Sequence, residues 1–115
     1  MTVDLKWARS GDTLIASLLG RIDSGSAEDF QRLLEEGLGP DDRHLVLDFE
    51  RVAFIGSAGL RVCLVIARRF TGPGKRFGLC SLSQFNRDIV AVSGFDQIIN
   101  VYDSRASAIE SFANG

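Results

Sequence analysis

Between His44 and Phe70 the chain reads HLVLDFERVAFIGSAGLRVCLVIARRF, and the apolar pattern changes there from that of a buried strand to that of a helix. Leu45 to Phe49 is apolar at nearly every position, as in a strand covered on both faces. A short apolar link, Val52 to Ile55, follows. Then come the tight turn Gly56-Ser57-Ala58-Gly59 and a helix from about Ala58 to Phe70, with Leu60, Cys63, Leu64, Ala67 and Phe70 on one face. A two-sided strand feeding straight into an apolar helix requires helices laid over a sheet, which is an α/β fold. The turn also sets the Ser57 hydroxyl at the positive end of a helix, a position suited to an anion or to a serine that becomes one by phosphorylation.

The remaining segments fit the same scheme. Leu5 to Ala8 and Thr13 to Leu19 read as strands of a hairpin about a turn at Ser10-Gly11-Asp12. After the loop Gly20 to Gly25, Ser26 is placed to cap a helix, with Asp29 three residues on and Ala27, Phe30, Leu33 and Leu34 along one face. Gly37-Leu38-Gly39-Pro40 stops it. Phe77 to Leu82 is the next strand, and Ser83 caps a helix that runs through Val92 to Ser93-Gly94. Ile98 to Val101 is a last short strand, and Ser104 caps a terminal helix to Phe112. The order β-β-α-β-α-β-α-β-α predicts one domain over residues 1–115. Its sheet is mixed, mostly parallel and of about five strands, with four helices and an antiparallel hairpin at the start.

Composition narrows the function classes. The chain has 115 residues and a formal net charge of −2, so it carries no electrostatic footprint for nucleic acid. Arg68-Arg69 with Lys75-Arg76 is its one local concentration of cations, read as charges that solubilise an apolar helix and strand. The N-terminus has no signal-peptide pattern, and the apolar run Val62 to Ala67 is far too short to span a bilayer, so a soluble cytoplasmic protein is expected. Cys63 and Cys80 sit in apolar contexts without CxxC spacing and read as small buried hydrophobes in a reducing compartment.

The pattern does not point to catalysis. The sole histidine, His44, opens a strand and reads as solvated. No metal-ligand spacing exists, so neither metal nor cofactor is expected. In GSAG the serine directly follows a glycine, which is not G-x-S-x-G, and the turn lacks the lysine and length of a P-loop. Ser57 is left with two readings. As a helix N-cap its hydroxyl would satisfy an orphan N–H, worth about 1 kcal/mol. As a regulated hydroxyl it would gain about −1.5 to −2 units of charge on phosphorylation, which the helix end tolerates and an apolar or acidic partner surface does not. Val62, Val65 and Ile66 add apolar surface beyond the helix's core face, either buried under a neighbouring helix or forming a docking patch rimmed by Arg61 and Arg69.

Three segments, taken together, resemble the STAS domain of anti-sigma factor antagonists. Gly20-Arg21-Ile22-Asp23 with Ser26-Ala27 and Phe30 is similar to the family's Gly-x-Leu-Asp and Thr/Ser-Ala. Leu47-Asp48-Phe49, through Val52, Phe54 and Ile55 to Ser57, Gly59 and Leu60, resembles its signature strand and Asp-Ser-Ser/Thr-Gly-Leu loop. Val92-Ser93-Gly94-Phe95 on to Ala108-Ile109 resembles its closing segment. The resemblance implies a non-enzymatic partner-switching regulator of transcription that needs no cofactor. Its implied partners are an anti-sigma factor with serine kinase activity, which phosphorylates Ser57, and a serine phosphatase that resets the switch. The implied docking face is Asp23, Ser24, Gly56, Ser57, Ala58, Gly59, Leu60 and Arg61, on a monomer or weak dimer. Here Gly56 stands where the family has Asp, and Ala58 where it has Ser or Thr. Two other uses of such a domain stay open at this stage: a cytoplasmic adaptor subunit of an ABC-type phospholipid transporter, and a module that senses a small ligand or nucleotide.

Overall fold

In a computed structural model describing residues 3–114, the chain opens with a hairpin. Strand β1 (Val3–Ser10) turns through Gly11, at φ +58°, into β2 (Thr13–Ile22), and the two pair antiparallel with Ser10 opposite Thr13. Helix α1 (Ala27–Gly37) leads to β3 (His44–Ile55), α2 (Ser57–Ala67) to β4 (Arg76–Cys80), and α3 (Gln84–Ser93) to β5 (Asn100–Tyr102). A last helix, α4 (Arg105–Asn114), closes the chain. The sheet order is β1-β2-β3-β4-β5, with every pair after the hairpin parallel. Each crossover therefore steps the same way across the sheet, and the handedness rule puts α1, α2 and α3 on one face.

Period-2 alternation divides the strands accordingly. Leu45, Leu47 and Leu79 join Phe30, Leu34, Leu60, Cys63, Ile66 and Val90 in the main core. The alternate positions Val46 and Cys80 face the other way, where Ala108 and Phe112 of α4 cover them. Helix α4 starts at Ser104, whose Oγ accepts from the Ser107 N–H at 3.0 Å while Ser107 Oγ accepts from the Ser104 N–H at 3.2 Å. It is tied to the sheet by Arg105. That guanidinium donates through Nε and Nη2 to Oδ2 of buried Asp48 at 3.0 and 2.8 Å, and also reaches Ser17 Oγ.

The structure corrects the expected elements at several points. Val52–Ile55 is no link but the continuation of a strand of 12 residues, which β2 follows through two register shifts. Strand β4 pairs only with His44–Asp48, so the far half of β3 has no strand on that side. Asn86 of α3 takes its place: fully buried, it accepts from the Ile55 N–H at 3.1 Å and donates to the Val52 carbonyl at 3.0 Å. A side-chain amide thus completes a ladder that a five-residue strand leaves open. His44 is half-buried rather than solvated. Its ring lies 5.7 Å from that of Phe112, its Nδ1 is buried without a hydrogen-bond partner among the described residues, and burial holds its pKa below the usual value.

Cys63 and Cys80 are free and buried, on opposite faces of the sheet, as their apolar contexts predicted. Burial pushes their thiols up, to about 12 for Cys63 and about 11 for Cys80, which keeps both protonated and unreactive at neutral pH. No helix among the described residues is long and apolar enough to cross a membrane.

Candidate partner-docking site around Ser57

The parallel strands β2 and β3 end side by side, with Ile22 level with Ile55, and their outgoing loops share one rim of the sheet. The Gly56 N–H donates to the Ile22 carbonyl at 2.8 Å and ties the second loop to the first. In the first loop, Asp23 Oδ1 accepts from the Gly25 N–H at 3.0 Å, and the Asp23 carbonyl accepts from the Ala27 N–H at 2.9 Å. Ser26 stands at the N-cap of α1, as the sequence pattern predicts, but its side chain makes no capping hydrogen bond. Its hydroxyl donates to the Arg21 carbonyl at 2.8 Å and accepts from the Asp23 N–H at 3.1 Å. Buried there, it braces the loop from within and holds Asp23 and Ser24 at the surface.

The N-cap of α2 is Gly56, in extended backbone, and not Ser57, which corrects the capping alternative for that serine. The Gly56 carbonyl receives the Leu60 N–H at 3.0 Å. Ser57 is the first helical residue. Its side chain is exposed and hydrogen-bonded to nothing among the described residues. The N–H groups of Ser57, Ala58 and Gly59 belong to the first turn, which has no acceptor of its own. An anion on the Ser57 oxygen would therefore sit at the positive pole of an 11-residue helix. The hydroxyl is accessible, and a negative charge on it would be electrostatically accommodated.

Gly59 makes the close approach possible. A Cβ there would stand 2.5 Å from Ile22 Cγ2 and 3.0 Å from Ile55 Cγ1, so the first turn of α2 packs onto the strand ends only because that position has no side chain. Of the expected docking residues, Asp23, Ser24, Gly56, Ser57, Ala58 and Arg61 reach the surface of this rim, while Gly59 and Leu60 point into the core. Val62 and Ile66 are buried too, with α1 packed alongside, so the extra apolar surface of α2 is mostly core; Val65 is 36% exposed. The basic residues Arg68, Arg69, Lys75 and Arg76 are exposed at the opposite end of the sheet, where β4 begins.

Three side chains at this rim are not among the docking residues expected from the sequence. Phe54, at the end of β3, lies against Gly56; Arg21, opposite it on β2, places its guanidinium 4.9 Å from the Phe54 ring centroid. Phe85, in the first turn of α3, sets its ring 6.1 Å from Phe54. Their separation along the chain carries no periodic signal; strand register and the docking of α3 bring them together.

No group of three or more His, Cys, Asp or Glu among the described residues is arranged to hold a metal ion. The STAS domain family model matches residues 5–108. This chain is a STAS domain. Its relatives include BtrV of Bordetella bronchiseptica, provisionally named an anti-sigma factor antagonist, at 36% identity over 86% of this chain and 85% of that protein. Among solved structures, the fold of an anti-sigma factor antagonist from Mycobacterium paratuberculosis superposes with a TM-score of 0.88 at 20% identity, covering 97% of this chain and 95% of that one. The antagonist SpoIIAA in its unphosphorylated form superposes with a TM-score of 0.77 at 18% identity, covering 97% and 98%. The α/β sheet with four helices is thus the STAS fold throughout.

Proposed function

We propose that this STAS domain is an anti-sigma factor antagonist whose partner binding is switched at Ser57 by a serine kinase and a serine phosphatase. The observation that carries this reading is the state of Ser57: exposed, without a hydrogen bond among the described residues, and seated on the N-terminus of a helix pinned to the sheet ends. The likeness to BtrV supports the antagonist class, and the likeness in fold to SpoIIAA, solved both unphosphorylated and phosphorylated, is consistent with a serine switch.

The mechanism follows from charge and desolvation. With a neutral hydroxyl, the rim formed by Asp23, Ser24, Ser57 and Arg61 can lie flat against a partner. A phosphate adds about −1.5 to −2 units of charge at its centre and three strongly hydrated oxygens. The helix end and its free N–H groups keep the phosphorylated protein folded, while a desolvated interface built for a hydroxyl rejects it. Phosphate on Ser57 thus acts on binding rather than on folding.

Incubation with ATP and each anti-sigma factor kinase of the source bacterium tests this. One phosphate should appear by intact mass, and none on Ser57→Ala. Ser57→Asp should lose binding to the kinase that wild type binds while melting at the wild-type temperature. Undiminished binding by Ser57→Asp would refute the switch.

A further inference from the structure

Beside the serine loop, Arg21, Phe54 and Phe85 make a surface that the core does not explain. Phe85 is 60% exposed, a cost to solubility that its place in α3 does not require. Its backbone is held rigidly nonetheless: Ser83 caps α3 by accepting from the Asn86 N–H at 3.1 Å, and the Asn86 side chain is hydrogen-bonded into β3. Phe54 is half-buried, and its ring occupies the space beside Gly56, where a Cβ would come within 3.1 Å of Cε2 and 3.2 Å of Cζ. Gly56 has φ −98°, open to any residue, so its missing side chain matters for that space and not for backbone strain. The Arg21 guanidinium lies over the Phe54 ring and forms no ion pair among the described residues.

We propose that Arg21, Phe54 and Phe85 are the specificity anchor of this antagonist, fitted to an anti-sigma factor that offers an apolar socket flanked by a carboxylate. This rests on the antagonist reading above. Two features select that occupant. The patch is continuous with the serine loop through the contact of Phe54 with Gly56, so a partner seated over Ser57 also covers it. The cation left without an ion pair at its edge calls for an acidic group on the partner. Rigid aromatic rings with an adjoining arginine are the composition in which interface energy concentrates. An aspartate at position 56 would make the Phe54 ring give way by a few tenths of an ångström and set a negative charge against the aromatic patch. Gly56 thus keeps the patch uncharged beside the serine.

Calorimetric titration of the purified chain with the purified anti-sigma factor kinases of the source bacterium tests the proposal. Phe85→Ala, Arg21→Glu and Gly56→Asp should each weaken the affinity of the kinase that wild type binds by about tenfold or more, with folding unchanged by circular dichroism. Val92→Ala, on the same helix and 90% exposed, should leave the affinity unchanged. Wild-type affinity in both Phe85→Ala and Arg21→Glu overturns the anchor, and if Ser57→Asp still abolishes binding, the antagonist reading survives alone. If wild type binds none of these kinases, both fall together. A wild-type dimer in sedimentation that Phe85→Ala dissolves would give the patch to a second copy of the chain and overturn its assignment to the anti-sigma factor.

Discussion

At the scale of single residues, the site depends on what is missing as much as on what is present. Gly59 allows α2 to start against the ends of β2 and β3. In Gly59→Ala the new Cβ meets Ile22 and Ile55 from three directions, one of them the Ile22 carbonyl, which cannot rotate away. Overpacking of this kind costs about 1–3 kcal/mol, more than the roughly 1 kcal/mol that alanine gains over glycine in a helix. We expect a net loss of stability in urea titration together with weaker partner binding, since the serine loop must shift. A more stable variant would show that the strand ends yield. Asn86 presents the converse case of a polar side chain the fold needs. Asn86→Ala strands the Ile55 N–H and the Val52 carbonyl, and each orphaned buried group costs about 1–3 kcal/mol. Asn86→Asp keeps an acceptor for Ile55 but buries a carboxyl against the Val52 carbonyl, so its denaturant midpoint should fall as pH rises and that carboxyl ionises, whereas Asn86→Ala should lack this pH dependence. Parallel pH dependence in the two variants would argue against the ladder role.

At the scale of elements, the two sides of the sheet are held differently. Helices α1 to α3 are crossovers, fixed at both ends by strands and buried along an apolar stripe. Helix α4 follows β5, buries Ala108 and Phe112, and has its first turn locked to Asp48 by Arg105. Truncating Arg105 leaves the Asp48 carboxylate buried without its cation, with the Glu50 N–H on its other oxygen. Because Arg105 is itself 41% exposed, water replaces part of what is lost, and a cost of about 1–3 kcal/mol is expected rather than the full value of a buried pair. Amide exchange should quicken in α4 and remain slow in α1 and α2. Uniform acceleration across all four helices would mean that α4 does not open separately.

At the scale of the whole molecule, the acid side of the stability curve reports His44. Burial holds its folded pKa below the ordinary 6.5, so in that window the unfolded chain binds more protons than the folded one. The histidine's contribution is therefore complete above pH 6.5 and is lost as pH falls through that value toward the folded pKa. His44→Gln should flatten the denaturant midpoint between pH 7 and 5.5 while leaving the slope at lower pH, where Asp42 is the relevant group. The Gly39 N–H holds the Asp42 carboxyl below its usual range, so its share is present above the ordinary carboxylate pKa and disappears with further acidification. Parallel curves for wild type and His44→Gln from pH 7 to 5.5 would remove His44 from this role.

Local pattern alone was enough to reveal the order of elements, the hairpin, the two buried cysteines and a serine at the head of α2, because strand and helix periods and turn residues act over a few neighbours. The same pattern could not show that Val52–Ile55 extends β3, since an apolar run reads alike as strand or link until its partner is known. Nor could it show that the hydroxyl of the N-cap residue Ser26 braces a loop instead of bonding the helix end, or that Gly56 rather than Ser57 is the cap of α2, because these depend on which hydrogen-bond partner the folded backbone brings nearest. Arg21, Phe54 and Phe85 come from three separate elements, and Asn86 bonds across more than thirty residues. Contacts of that length are set by strand register and helix docking, so they exist for this chain only once it is folded.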